Sequence, residues 1–482
     1  MSKYYATIGL EMHCEGSLTN SKVFSPSKNE YTDLPNCNVT PIDMGFPGVL
    51  PVANKECVRM SIMMANILHA RIPEYMYWER KNYYYPDLPK GYQITQNPPE
   101  ECVGNGGYID IEREDGSTFR VEIDNLHLEE DAAQLTHLYD TSTINYNRAG
   151  NPLFELVTGP CLHSADDAVS FLEYMRAIYQ YCAISEADSK KGHLRCDVNV
   201  SISEDPDKLG TKVEIKNVNS FSSVRDAINY EIERQSDLKD EGRYDEEVVQ
   251  ETRRWDEESQ TTKSMRSKVD AIDYKYFVEP NIPRIKLDKE WVDEIIASTP
   301  ELPYERKTKY MNDLGLSSYD ATIIIKDIKI ATYFEKCVDL GVDAKTAANW
   351  ICTQILGYCY KEEKEINEIY LTPERLSQIT SAIKDGRISS KQGKELFALT
   401  LEREEEPEAI MEAEGMKQLS DDSELIKIVT EILDRSEAQI ADYKGGKTNI
   451  IGYFVGQVMQ ATKGQANPGK VNQILQEELS KR

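Results

Sequence analysis

Between Ile8 and Glu15 the chain alternates strictly. Ile8, Leu10, Met12 and Cys14 fall on one side, and Glu11, His13 and Glu15 on the other. A two-residue period specifies a strand with one dry face and one wet face, and it rules out a helix for that stretch. The pattern returns at Arg195–Ile202, where Cys196, Val198, Val200 and Ile202 oppose Arg195, Asp197, Asn199 and Ser201. It returns again at Val213–Lys216, with Val213 and Ile215 opposite Glu214 and Lys216. Between these runs the period changes to that of a helix: Ser164 is the expected N-cap, and Ala168, Phe171, Leu172, Met175, Ile178, Tyr179 and Cys182 form the apolar stripe. A second helix is expected from Ser220, burying Phe221, Val224, Ala227, Ile228 and Ile232. Strands interrupted by helices without a regular βαβ rhythm predict an α+β fold with a largely antiparallel sheet.

Four prolines at 280, 283, 300 and 303 punctuate an expected linker, after which the texture is helical. The acidic run Glu402-Arg-Glu-Glu-Glu-Pro-Glu408 marks a second expected boundary. The resulting scheme is 1–290 as the sheet-bearing catalytic domain, 291–410 as an all-helical domain, and 411–482 as a small helical tail. No apolar run approaches the ~18 residues that span a bilayer, and the N-terminus lacks a secretory pattern. Ten scattered cysteines without a C-x-x-C pair argue against a disulfide framework and fit a reducing cytoplasm. The net charge of −27 excludes a protein that holds nucleic acid by bulk electrostatics, unless positive charge gathers locally. It gathers in the tail, where Lys444, Lys447, Lys463, Lys470, Lys481 and Arg482 face only Glu477 and Glu478. A solvated helix surface accounts for the same residues equally well.

Glu11, His13 and Glu15 on one strand face can hold a divalent cation, since hard ions take oxygen and tolerate an imidazole. The wet face of an antiparallel sheet is the alternative. Alternation in Asn125-Leu-His-Leu-Glu-Glu-Asp131 would group His127, Glu129 and Asp131 and turn Glu130 away. Glu155 lies in Leu153-Phe-Glu-Leu-Val157, apolar on both sides, where an unpaired carboxylate is costly. Arg148 is a candidate clamp for phosphate or carboxylate, or else the ion-pair partner of Glu155. The tyrosine-rich loop at 82–93, carrying Lys90, suits a substrate wall or plain packing. Gly446-Lys447-Thr448 imitates the end of a P-loop, but Ala441 takes the first glycine position and no strand precedes it. No kinase-type glycine loop, nucleophile elbow or amidase signature is present.

Taken together, the motifs resemble the B component of the tRNA-dependent amidotransferases, the GatB family. They are Ile8-Gly-Leu-Glu-Met-His13, Phe46-Pro-Gly-Val-Leu-Pro51, Lys81-Asn-Tyr-Tyr-Tyr-Pro-Asp-Leu-Pro-Lys-Gly-Tyr-Gln93, His127-Leu-Glu-Glu-Asp131, Asn147-Arg-Ala-Gly-Asn-Pro-Leu153, Leu194-Arg-Cys-Asp-Val-Asn199 and Glu214-Ile-Lys-Asn-Val-Asn-Ser-Phe221. Gln250-Glu-Thr-Arg-Arg254, Met265-Arg-Ser-Lys268, Asp273-Tyr-Lys-Tyr-Phe277, Gly456-Gln-Val-Met459 and Lys463-Gly-Gln-Ala-Asn-Pro468 continue them in order. The resemblance implies a cradle-shaped catalytic domain, a helical domain and a small tail that contacts tRNA. It implies ATP-dependent amidation of Glu-tRNA(Gln) or Asp-tRNA(Asn), with Mg²⁺, through phosphorylation of the side-chain carboxylate. Ammonia would come from glutamine through the amidotransferase's glutamine-hydrolysing A component, with its small C component clasping the pair; neither DNA nor membrane is implied. By motif position, His13, Glu130 and Glu155 correspond to metal ligands. Glu11, Asp197, Asn199, Glu214 and Asn217, with Arg148, are expected at the catalytic centre, and Lys90, Arg195 and Lys216 on the nucleotide. Alternation favours Glu129 over Glu130, and a bulge near Leu128 would reconcile the two.

Some positions depart from the family. No cysteine stands in Phe24-Ser-Pro-Ser27 or Thr40-Pro-Ile-Asp43, where certain relatives hold zinc, so no structural zinc is expected. Ser189-Lys-Lys-Gly-His193 replaces an acidic pair before glycine and serine. Gly159-Pro-Cys161 replaces Glu-Pro-Asp, and Phe277-Val-Glu-Pro-Asn281 has lost a proline and an aspartate. A non-catalytic tRNA-binding scaffold, or a diverged ligase for another carboxylate, are the alternative functions.

Overall fold

The computed structural model describes residues 3–97, 102–113, 115–189, 191–267, 273–416, 422–444, 450–462, 466 and 468–482. The expectations that fall on Lys190, Lys268, Gly446, Lys447, Thr448 and Lys463 lie outside the described residues. The chain divides into two compact units, Met1–Pro303 and Tyr304–Arg482.

The first unit is α+β and is built on a nine-stranded sheet. In chain order its strands are β1 (Tyr5–Glu15), β2 (Gly104–Asn105), β3 (Tyr108–Glu112), β4 (Thr118–Glu130), β5 (Pro152–Thr158), β6 (Leu194–Ser203), β7 (Val213–Val218), β8 (Glu251–Asp256) and β9 (Thr261–Ser267). Their spatial order is β9-β8-β7-β6-β1-β5-β4-β2, with β3 beside β4. All pairs are antiparallel except β7 with β8. Strand β1, alternating as the sequence predicts, therefore sits in the middle with β6 and β5 on its flanks.

The dry face is covered by α1 (Lys55–Ile67), α2 (Ala165–Tyr181) and α3 (Phe221–Asp240). Ser164 and Ser220 cap α2 and α3 as expected, accepting from the backbone N–H groups of Asp167 and Ser223. The apolar residues of β1, β4, β5 and β6 join Met63, Phe171, Leu172, Ile178 and Ile228 in one core. Phe221 and Ile232 are half-buried, because α3 turns Glu231 and Gln235 inward instead. Glu231 is satisfied there by Arg234, Gln235 and Thr262. The proline-marked stretch carries more structure than a linker: the helix Lys289–Ala297 buries Ile295 and packs Trp291 and Val292 on the same core.

In the second unit every regular element after Pro303 among the described residues is helical. Residues 425–479 gather around their own cluster of Leu425, Val429, Leu433, Phe454, Val458 and Leu475. Of the basic tail residues, Arg482 is paired with Asp434 and Lys481 with Glu478. No helix of the described residues is long and apolar enough to cross a membrane.

Candidate functional site

Antiparallel register sets the polar residues of four strands side by side. Arg195 of β6 opposes His13 of β1, His13 opposes Glu155 of β5, and Glu155 opposes His127 of β4. One step along, Asp197 opposes Glu11. Beyond that, Gly9 opposes Asn199, which opposes Glu214 of β7. Cross-strand partners share a face, so these side chains line the wet side of the sheet.

Glu155 is the hinge of the cluster. One of its oxygens lies 3.3 Å from His13 Nε2 and 3.0 Å from His127 Nε2. Glu11 lies 3.8 Å from His13 Nε2, and Glu129 3.7 Å from His127 Nε2. The partners of the half-buried Glu155 carboxylate are thus two imidazoles, and Arg148 is not among them. Burial works to raise the Glu155 carboxyl, yet His127 and His13 hold it well below the ordinary carboxylate range. Burial likewise works to lower both imidazoles, and the carboxylates, Glu155 foremost, outweigh it and raise them. Glu11 is raised by burial and by the charge of Glu155.

Two overlapping triads, Glu11–His13–Glu155 and His127–Glu129–Glu155, each bring their ligand atoms within 4.8 Å of one another. Carboxylate oxygens with one imidazole are a donor set that fits a divalent cation. His127 Nδ1 lies 3.0 Å from Asn125 Oδ1. In the neutral ring, with that nitrogen donating, the lone pair falls on Nε2, the atom that faces Glu155.

The other expected residues fall in three groups. Lys216 pairs with Asp197 and lies 3.2 Å from Glu214, which accepts from Thr252 Oγ1 at 2.7 Å. Asn217, exposed and with φ of 62°, falls where the β6–β7 register shifts between Cys196 and Val198. Arg195 pairs with Asp131. Arg148 lies 3.4 Å from the same Asp131 and donates to the carbonyls of Ala132 and Ala133, so it works as a strut for the 131–133 turn.

Lys81 opens the Lys81–Gln93 motif but is not among the site residues that the sequence assigns. It stands on the strand Glu79–Asn82, with its ammonium over the rings of Tyr83 and Tyr274 at 6.0 and 5.2 Å. Burial works to lower this ammonium, but the charges of Glu129 and Glu155, with Tyr276, outweigh it and keep it raised. Only tertiary placement brings that charge to the acidic face.

A family model described as "GatB/GatE catalytic domain" matches residues 6–293, and a second, "GatB domain", matches 332–479. The chain belongs to the GatB family. A curated relative from Lysinibacillus sphaericus (strain C3-41) is 43% identical over 480 residues, covering 99% of this chain and 100% of the relative. Relatives from Oceanobacillus iheyensis and Bacillus mycoides (strain KBAB4) are each 44% identical, over 98% of this chain and 99% of their own length. All three are named as the B component of aspartyl/glutamyl-tRNA(Asn/Gln) amidotransferase. This GatB-family chain is accordingly one subunit of an amidotransferase, an enzyme of the ligase class.

The resemblance expects Glu130 among the metal ligands, and the structure places its carboxylate away from the His13–Glu155 row. Glu130 does not join His13 and Glu155: its carboxylate pairs with Lys90 and accepts from the backbone N–H of Ile94 at 2.8 Å. The pairing of β4 with β5 runs unbroken from Glu130 to Asn125, so no bulge at Leu128 rotates it inward. The irregularity lies at Val157/Thr158 instead. Strict alternation thus puts Glu129 and His127 on the site face and turns Glu130 away. Lys90, expected on the nucleotide, is the cation that neutralises Glu130.

Proposed function

We propose that this chain carries out the ATP-dependent amidation of Glu-tRNA(Gln), Asp-tRNA(Asn) or both, in the cytoplasm, in complex with the A and C components of the amidotransferase. The observation that carries the reading is the His13–Glu155–His127 row with its flanking carboxylates, in a chain alike from end to end to relatives named for that reaction.

A carboxylate is a poor acyl donor, and phosphorylation supplies a leaving group. The γ-phosphoryl of ATP would pass to an oxygen of the substrate's side-chain carboxylate, giving ADP and an acyl phosphate. Ammonia would then attack the carbonyl carbon, the bond to phosphate would break, and the amide would form once the nitrogen sheds a proton. Such a transfer is served by positioning and by neutralising phosphate charge. Glu11, His13 and Glu155, with His127 and Glu129, would hold Mg²⁺, which when bound neutralises phosphate oxygens. Lys81 and Arg195, on the margins of the acidic row, supply cationic partners for the transferred phosphate. Lys216, fixed by Asp197 and Glu214, supplies a third at the other margin. The proton shed by the attacking nitrogen would pass to the released phosphate.

The test is reconstitution with the cognate A and C components, supplying ATP, Mg²⁺, glutamine and labelled Glu-tRNA(Gln) or Asp-tRNA(Asn). Wild type should form amide with ADP release. Glu155→Gln and His13→Ala should lose it by at least 100-fold while tRNA still binds. Wild-type tRNA binding without amide formation would sink the catalytic reading.

A further inference from the structure

Two residues beyond His13 along β1, on the same face, a cavity of about 170 Å³ opens at the strand end. It is lined by Glu15, Asn29, Arg148, Asn151, Lys191 and His193, among other polar residues. None of the assigned metal ligands reaches it.

Its polar groups are unevenly used. Arg148 donates from Nε and Nη2 to the carbonyls of Ala132 and Ala133, with Nε 3.4 Å from Asp131, and Lys191 is paired with Glu186 at 2.7 Å. Asn29 gives its amide hydrogens to Gly16 and Thr19. Glu15, only 8% exposed, accepts one hydrogen bond, from Asn151, and among the described residues it has no cation at ion-pair distance. Asn151 Oδ1 and His193 Nδ1 are buried without any partner among the described residues, in side chains belonging to residues 8% and 7% exposed. The wall therefore holds three acceptor sites open to a donor: the second Glu15 oxygen, the amide oxygen of Asn151 and the Nδ1 of His193. A buried carboxylate and orphaned acceptors are costly unless a donor, best a cationic one, completes them.

We infer that this cavity seats a primary ammonium group, filled in turnover by the α-ammonium of the aminoacyl ester. Three N–H donors match three acceptors, and one positive charge meets the Glu15 carboxylate. The spacing agrees. Residues two apart on a strand stand about 7 Å from each other. Three or four bonds of about 1.5 Å separate an amino group from its own side-chain carboxyl carbon. A substrate with its carboxylate at the His13–Glu155 row thus places its ammonium toward Glu15. Glu15 acts here as a positioning residue. His193 belongs to the segment where this chain departs from its family's pattern, so the departure bears on substrate seating. Naming the ester as occupant rests on the proposed function.

The test compares L-glutamic acid α-ethyl ester with its desamino analogue, monoethyl glutarate, on the full-length chain by saturation-transfer NMR. The amino ester should bind at least tenfold more tightly, and the isosteric Glu15→Gln should erase that ratio. His193→Ala, on a separate segment, should reduce it, which keeps the test decisive if Glu15→Gln misfolds. Equal binding of the two esters by wild type overturns the inference, as does an unchanged ratio in both variants. Displacement of the amino ester by millimolar ammonium chloride overturns the assignment to the α-ammonium in favour of the free ion. Amide formation by the reconstituted wild-type complex is measured alongside. Its absence would remove the proposed reaction but not the binding ratio, and its presence with equal ester binding would remove the cavity's role alone.

Discussion

The acidic neighbours that draw a cation also raise the His13 and His127 imidazoles, so each holds its proton to higher pH than an ordinary histidine. A bound cation needs their neutral form, so binding must expel protons. Divalent-ion affinity should therefore rise with pH through the region above the ordinary histidine value. Calorimetry in two buffers of different ionisation heat should give one to two protons released per ion; identical heats in both buffers would contradict this arrangement. The two adjacent glutamates of β4 separate the assignments cleanly. Glu129→Gln should weaken Mn²⁺ binding at least tenfold, read by the paramagnetic effect on water relaxation, while Glu130→Gln should leave it within about twofold. The reverse ranking would restore the assignment by resemblance.

At the scale of elements, the segment at 22–43 is tied to the turn before β5 by buried polar groups. Asp43 accepts from Ser25 Oγ at 2.6 Å, from Ser27 Oγ, and from the Thr40 backbone N–H at 2.7 Å. The fully buried Lys22 donates to the carbonyl of Ala149 at 2.6 Å and lies 3.9 Å from Asp43. Gly150, at φ of 86°, brings backbone so close that a Cβ there would stand 3.0 Å from Asp43 Oδ1. This knot fixes the Arg148–Asn151 turn and through it the cavity wall. Asp43→Ala should cost about 3–5 kcal/mol in urea unfolding, since it strands a buried cation. Burial lowers the Lys22 ammonium to about 8. Between there and about 10.4 the unfolded chain holds a proton that the folded chain has shed, so stability rises with pH across that window. Below it both forms are protonated and the burial penalty stands in full. The stability of wild type minus that of Lys22→Met should accordingly increase by on the order of 2–3 kcal/mol from pH 8 to 10.4, and a flat difference would refute the shift.

For the whole molecule, the first unit's sheet core is formed within residues 8–295, with Leu302 packed against it. A fragment of residues 1–303 should therefore unfold cooperatively by itself, as judged by coincident circular dichroism and fluorescence transitions. With −27 overall and two of the tail's basic residues paired with carboxylates, the proposed docking of tRNA would use few local contacts. Its affinity should fall at least tenfold between 50 and 200 mM salt, and near-constancy in a filter-binding titration would argue against electrostatic docking. The sequence by itself determined the strands, the capped helices and the wet face of Glu11, His13 and Glu15, because side-chain period and N-cap chemistry are local. It also placed Glu129 rather than Glu130 beside His127, through alternation that the family likeness overrode. Tertiary structure alone decided that Glu155 meets two histidines, that Arg148 braces a turn, and that Lys81 comes to the acidic row. Those contacts join residues 13, 81, 127 and 155, far apart in the chain, and only strand order and register say which of them are neighbours.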